Sequence, residues 1–259
     1  MKLINWLGAG GLLLTLCSAA PVQAEDTLKL VGDSWCPFAC DSAETLGLNG
    51  FLVDITEIIF AKHNMKVSFK LAPYARAIEL VKQNQADAVV GTVKADAPDL
   101  VYPEVNQAVT FNVFFVKAGN VWQYKNSASL DALHKIGAVV GYDYLELNDY
   151  FTKNTQKVEF MGGDKTTKRN IQKLLMGRLD ALIDDPFIVD FELMGMNKQK
   201  ELVNAGQYGN ILPVYVAFSP KNIKAAEYAK WMSDGMKTLR ESGELAKLLE
   251  SYGVKDWQK

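Results

Sequence analysis

Ala77-Ile78-Glu79-Leu80-Val81-Lys82-Gln83-Asn84-Gln85-Ala86-Asp87-Ala88-Val89-Val90 and Asn170-Ile171-Gln172-Lys173-Leu174-Leu175-Met176-Gly177-Arg178-Leu179-Asp180-Ala181-Leu182-Ile183 carry one pattern twice. In each copy, apolar residues at helical spacing run to an apolar residue (Ala86, Leu179), an Asp-Ala pair and a short apolar strand. An amphipathic helix feeding a strand is half of a βαβ unit, so the repeat predicts two α/β units of similar build. The residues after the strands differ: Gly91-Thr92 in the first copy, Asp184-Asp185 in the second. In α/β sheets ligands collect at the carboxyl ends of strands, where backbone groups and helix N-termini converge. Two such edges facing each other make a clamp.

Working outward, the first unit reads as strand 28–31, helix 51–63, strand 66–70, helix 74–84 and strand 88–90. The second reads as strand 136–140, a helix from about 144 to 152, strand 158–161, helix 166–176, strand 181–183 and a helix near 187–195. The βαβαβ order demands parallel strands joined by right-handed crossovers. Apolar extended segments at 110–116 and 211–218 flank the second unit, and helices at 221–240 and 243–252 follow. With no third βαβ set to cover, those last helices are expected to pack back on the first unit. A chain that crosses twice between its halves is restricted to opening and closing about a hinge.

Residues 1–24 read as a cleavable export signal: Lys2, an apolar run from Leu3 to Leu16, and Val22-Gln23-Ala24 before Glu25. The apolar run is shorter than the roughly 20 residues of a spanning helix. Leu14-Thr15-Leu16-Cys17 resembles a lipobox, but Leu16 stands where a small residue is expected. Cleavage leaves 235 residues of the 259, with 27 basic against 30 acidic side chains and a net charge of −3. That mild acidity argues against a nucleic-acid partner, which needs a clustered basic surface. Cys36 and Cys40 then remain. In an oxidising compartment this spacing predicts a local disulfide. A metal would need further ligands, and His63 and His134 are placed on a polar helix face and a surface segment.

The order Trp35-Cys36-Pro37-Phe38, Gly50-Phe51-Leu52-Val53-Asp54, Asp87-Ala88, Gly177 to Ala181 and Ser242-Gly243-Glu244-Leu245 resembles the bacterial extracellular solute-binding proteins, family 3, which bind polar amino acids. The resemblance spans the whole mature chain. It implies an α/β, two-lobed periplasmic binding protein of type II, a Venus flytrap whose lobes are each a mostly parallel sheet flanked by helices. It implies delivery of a small-molecule ligand to a membrane ABC permease, with no cofactor. The lobes are expected at 25–115 with 214–259, and at 116–213; a monomer in the periplasm is expected.

The resemblance also implies a site. Trp35 falls where the family places an aromatic that stacks on the ligand, and Tyr74 at a second contact in the loop opening the next helix. Gly91 and Thr92 fall at the strand end that binds a carboxylate, and Asp185 at the acid that holds an α-ammonium group. The family's carboxylate-binding arginine should come eight residues after Gly91, where Asp99 stands. A carboxylate cannot replace a guanidinium fork. Arg76, in the first turn of its helix, is the expected substitute. Read from position alone, Tyr142 and Asp143 lie at the first strand exit of the second unit, where Asp143 could equally cap the next helix.

Gly162-Gly163-Asp164 lacks P-loop spacing, so phosphate binding is not expected. Candidate acids outnumber candidate cations, so the expected ligand carries an amine: an amino acid or related zwitterion. Two other classes stay open. One is a periplasmic sensor partnering a membrane receptor. The other is an enzyme similar to cyclohexadienyl dehydratase, although no Gly-x-Ser-x-Gly elbow is present.

Overall fold

The computed structural model describes residues 26–258 apart from Leu46 and Asp164. The expected export signal, with Cys17, lies outside the described residues. Strands β1 (Thr27–Gly32), β2 (Lys66–Leu71) and β3 (Ala88–Thr92) are parallel, with helices α1 (Phe51–Ala61) and α2 (Tyr74–Lys82) between them. Strands β5 (Ile136–Val139), β6 (Val158–Met161) and β7 (Ala181–Asp184) repeat the arrangement, with α3 (Leu147–Lys153) and α4 (Thr166–Leu175). Two antiparallel strands, β4 (Ala108–Lys117) and β8 (Leu202–Phe218), join the halves into one sheet ordered β2-β1-β3-β8-β4-β7-β5-β6. Helix α5 (Pro186–Gly195) follows β7, and α6 (Ala225–Glu241) and α7 (Glu244–Ser251) close the chain.

The repeated Asp has the same structural job in both halves. Asp87 accepts from the Lys29 backbone N–H at the start of β1, and Asp180 from those of His134 and Lys135 before β5. Each carboxylate pins the first strand of its unit beside the third. Each sheet half has a core on both faces. The first packs Phe60, Met232 and Leu249 on the face of α1, α6 and α7, as expected for the closing helices, and Val81 and Ala217 beneath α2. The second packs Tyr144 and Phe151 on one face and Ile171 and Leu193 on the other.

Three expected elements shift. The helix expected from about residue 144 begins at Leu147, because Asp143 accepts from the Leu145 N–H and Leu145 turns left-handed (φ 47°). Tyr144 is thereby freed from the helix and fully buried, its hydroxyl accepting from the Val139 N–H. The helix expected from 221 begins at Ala225, after a turn in which Ser219 and Asn222 side chains take the Lys221 and Lys224 N–H groups. The strand expected at 211–218 starts nine residues earlier. Its first part pairs with β4, and its last four residues, Tyr215 to Phe218, pair with β3.

Candidate functional site

The Trp35 loop is built on the N-terminus of α1. That helix has no side-chain cap; instead Phe51 N–H and Leu52 N–H donate to the carbonyls of Pro37 and Phe38. The loop thus satisfies donors that a helix start leaves unpaired. It is tightened by the expected Cys36–Cys40 disulfide and by a bond from Trp35 N–H to the Ala39 carbonyl. Trp35 stacks on Phe38 with centroids 4.0 Å apart. The ring lies over Gly91, so close that a Cβ there would meet Trp35 Cε3 at 3.4 Å. Gly91 has φ +81° at an irregularity in β3, a conformation that glycine takes at no steric cost.

Tyr142 approaches Trp35 from the other half of the sheet, near enough for the indole N–H, which can only donate, to favour the ionised phenol. Although 39% of Tyr142 is exposed, burial pushes its phenol pKa up, and Asp184 and Asp185 add to the rise. Of these acids, Asp184 ends β7 and Asp185 caps α5. Asp184 is fully buried and Asp185 is 3% exposed. Asp184 accepts from Thr167 and from the Asp185 N–H; among the described residues, neither carboxylate is paired with a cation. Asp185 caps α5 through Phe187 N–H at 2.8 Å, and its other oxygen accepts from Thr110 (2.7 Å) and Phe111 N–H (3.3 Å). Ionised carboxylates have about four acceptor positions, so one remains for a ligand.

Burial drives both pKa values up, Asp184 to about 6 and Asp185 to about 7. The folded state therefore favours their protonated forms. Their contribution to stability is greatest near pH 4 and is lost as pH rises toward 7. Thermal denaturation should give a higher Tm at pH 5 than at pH 8. A Tm that climbs steadily over that range would contradict the burial of these acids.

A second cluster stands at the exit of β3. The Tyr74 hydroxyl lies 2.9 Å from Thr92 Oγ1 and donates to Asp96 at 2.8 Å. Thr92 is fully buried. The remaining expected residues lie elsewhere. Asp143 is exposed and accepts from Leu145 N–H and Asn148, which is a local turn. Arg76 is exposed, has no partner among the described residues, and sits roughly 200° around α2 from Tyr74. The structure does not bring it to the cluster. His63 stacks on Trp231 at 3.8 Å, far from this chemistry. An open cavity of about 290 Å³ beside Asp41, Glu57 and Phe69 shares no residue with either cluster.

Sequence reasoning missed Asp96 and Thr110. Asp96 reads as a solvated loop acid, and only the bulge in β4 between Thr110 and Asn112 turns Thr110 toward Asp185.

A profile of the bacterial extracellular solute-binding proteins, family 3, matches residues 30–255. The chain belongs to this family. An ancestral cationic amino acid solute-binding protein has the same fold, with a TM-score of 0.67 at 17% identity over 87% of this chain and 95% of that one. So does the second substrate-binding domain of Lactococcus lactis GlnP in an open conformation (TM-score 0.65, 16% identity, 90% and 97% covered). A histidine kinase sensor domain with similarity to periplasmic binding proteins gives 0.60 at 15% identity, with 89% and 98% covered. No curated protein sequence matches the chain. These likenesses establish the fold of the two-lobed periplasmic binding proteins; in this chain the Trp35 loop stands in the first α/β unit, and Tyr142 and Asp185 in the second. Among the described residues, no helix is long and apolar enough to cross a membrane.

Proposed function

We propose that the protein captures a small amine-bearing solute, an amino acid or related zwitterion, between the strand exits of its two lobes and hands it to a membrane ABC importer. The observation that carries this reading is the pair of buried carboxylates at the end of β7, which have no cation among the described residues. A buried charge without a partner is costly. A ligand ammonium at Asp185 would supply that partner, with Trp35 and Tyr142 closing over it from opposite lobes. Neither half-site binds well alone, so the ligand favours the closed arrangement to the extent that it touches both. In the closed cleft, water is excluded and charge-assisted hydrogen bonds strengthen.

The protein performs no chemistry on the solute in this reading. Both histidines lie away from the cleft: His63 under Trp231, and His134 at the start of the β5 ladder. The same capture would serve a sensor, the role that the histidine kinase domain's name gives that protein. Uptake of the labelled solute by cells with and without this chain separates delivery from sensing.

Calorimetry against amino acids, amines and organic acids tests the reading. Binding should favour a compound with an amine, and its affinity should rise between pH 5 and pH 8, because the cation needs Asp185 ionised. A clear preference for a purely anionic compound, or affinity that falls with pH, would overturn it, as would turnover of the bound compound.

A further inference from the structure

Asp99 occupies the place of the family's carboxylate-binding arginine, and the fold shows that its side chain is not in the cleft. It pairs with Lys82 at 3.3 Å, at the far end of α2 from Tyr74. Eight residues of helix put about 12 Å between those ends. Arg76 lies on the opposite flank of the helix from Tyr74. Neither position supplies a cation to the strand exit.

Lys94 does. It follows Thr92 by two residues, and its ammonium lies 5.1 Å from the Tyr215 ring centroid and 5.7 Å from that of Tyr102. Tyr215 stands opposite Thr92 in the β3–β8 ladder and is 6% exposed. Tyr102 meets it edge to face at 5.3 Å and is fixed by its hydroxyl, which donates to the Ala97 carbonyl at 2.8 Å. Two packed rings therefore hold the ammonium just beyond the end of β3, two residues before Asp96, whose carboxylate accepts from the Tyr74 hydroxyl. Ring faces attract a cation without consuming its donors. The three N–H donors of Lys94 reach no acceptor among the described residues, and the residue is exposed. A preset cation with its donors free is a receptor for an anionic group.

We propose that Lys94 is the specificity-determining cation of this cleft, binding the ligand's anionic group on lobe one while the amine meets Asp185 on lobe two. This rests on the reading of the cleft as an amine site and narrows its ligand to a zwitterion. An ammonium is a compact charge with rotatable donors rather than a planar fork. The pocket therefore requires an anion but does not demand bidentate carboxylate geometry.

The test begins with calorimetry of the unmodified protein against the twenty common amino acids. The tightest binder and its decarboxylated amine then serve as matched probes. Lys94→Gln should weaken the amino acid roughly 10- to 100-fold and the amine less than about threefold, so the preference for the acid collapses. Lys94→Arg, which keeps the charge, should retain part of it, and Lys82→Gln should change neither probe.

Equal loss of both probes would assign Lys94 a structural role and overturn the proposal. No loss for the amino acid, or a loss that follows Arg76→Gln instead, would overturn it as well. If the unmodified protein binds amines but no amino acid, the Lys94 assignment fails while the amine reading survives. If it binds neither, the amine reading itself fails.

Discussion

Asp185→Asn is expected to weaken binding of the amine-bearing solute about thirtyfold or more while leaving the protein folded. Asparagine caps a helix as well as aspartate does. Its amide oxygen can therefore keep the bond from Phe187 N–H that starts α5. On the other side, the Thr110 hydroxyl can turn to accept from the new amide, and only the longer Phe111 N–H contact of 3.3 Å is lost. Removing a buried charge offsets that loss, so the ligand-free Tm should change little. What disappears is the negative charge that the ammonium meets. The rise of affinity with pH should flatten in the same variant, since Asp185 is the group whose ionisation drives it. Unchanged affinity in Asp185→Asn would place the amine elsewhere.

Gly50→Ala should be the most damaging small substitution in the chain. Gly50 precedes α1 with φ +99°, and an added Cβ would lie 2.5 Å from Ala39 Cα and 2.6 Å from the Phe38 carbonyl oxygen. Both obstacles are backbone, so no side chain can swing aside. The left-handed conformation and the forced overlap together should cost about 3–5 kcal/mol. For a chain of this size, that corresponds to a Tm lower by about 10 °C or more. The damage is local to the site, because the same contact seats the Trp35 loop on α1. Solute affinity should therefore fall along with stability. Gly47→Ala is the control: φ is +97° there, but nothing lies within 4 Å of the new Cβ. Its loss should be limited to the conformational cost of about 1–2 kcal/mol. Equal effects at both positions would show that the fit of Gly50 against the loop is unimportant.

The two α/β units were legible because their helix-strand period repeats and because Asp87 and Asp180 recur at the same step, where each pins a first strand. The disulfide was legible from spacing and compartment. The first part of β8 was not, since Asn204, Gly206, Gly209 and Asn210 read as loop. It becomes a strand because β4 offers an unpaired edge, which is a tertiary fact. At the site, Asp185 announces itself as a strand-end acid before Pro186. Its bonds to Thr110 and Phe111 do not, because they depend on how β4 passes β7. Arg76 illustrates the opposite limit. A cation two residues from a site residue on a helix points away from it, whereas the turn that follows β3 lays Lys94 over Tyr215, which stands opposite Thr92 in the ladder.

The account's central claim is that a solute's nitrogen is held at Asp185 between an aromatic from each lobe. A crystal structure with the tightest-binding solute measures this directly. The account predicts an amine nitrogen within hydrogen-bond distance of the Asp185 carboxylate, enclosed by Trp35 and Tyr142. A solute that sits outside this cleft, or that turns an anionic group toward Asp185, would contradict it.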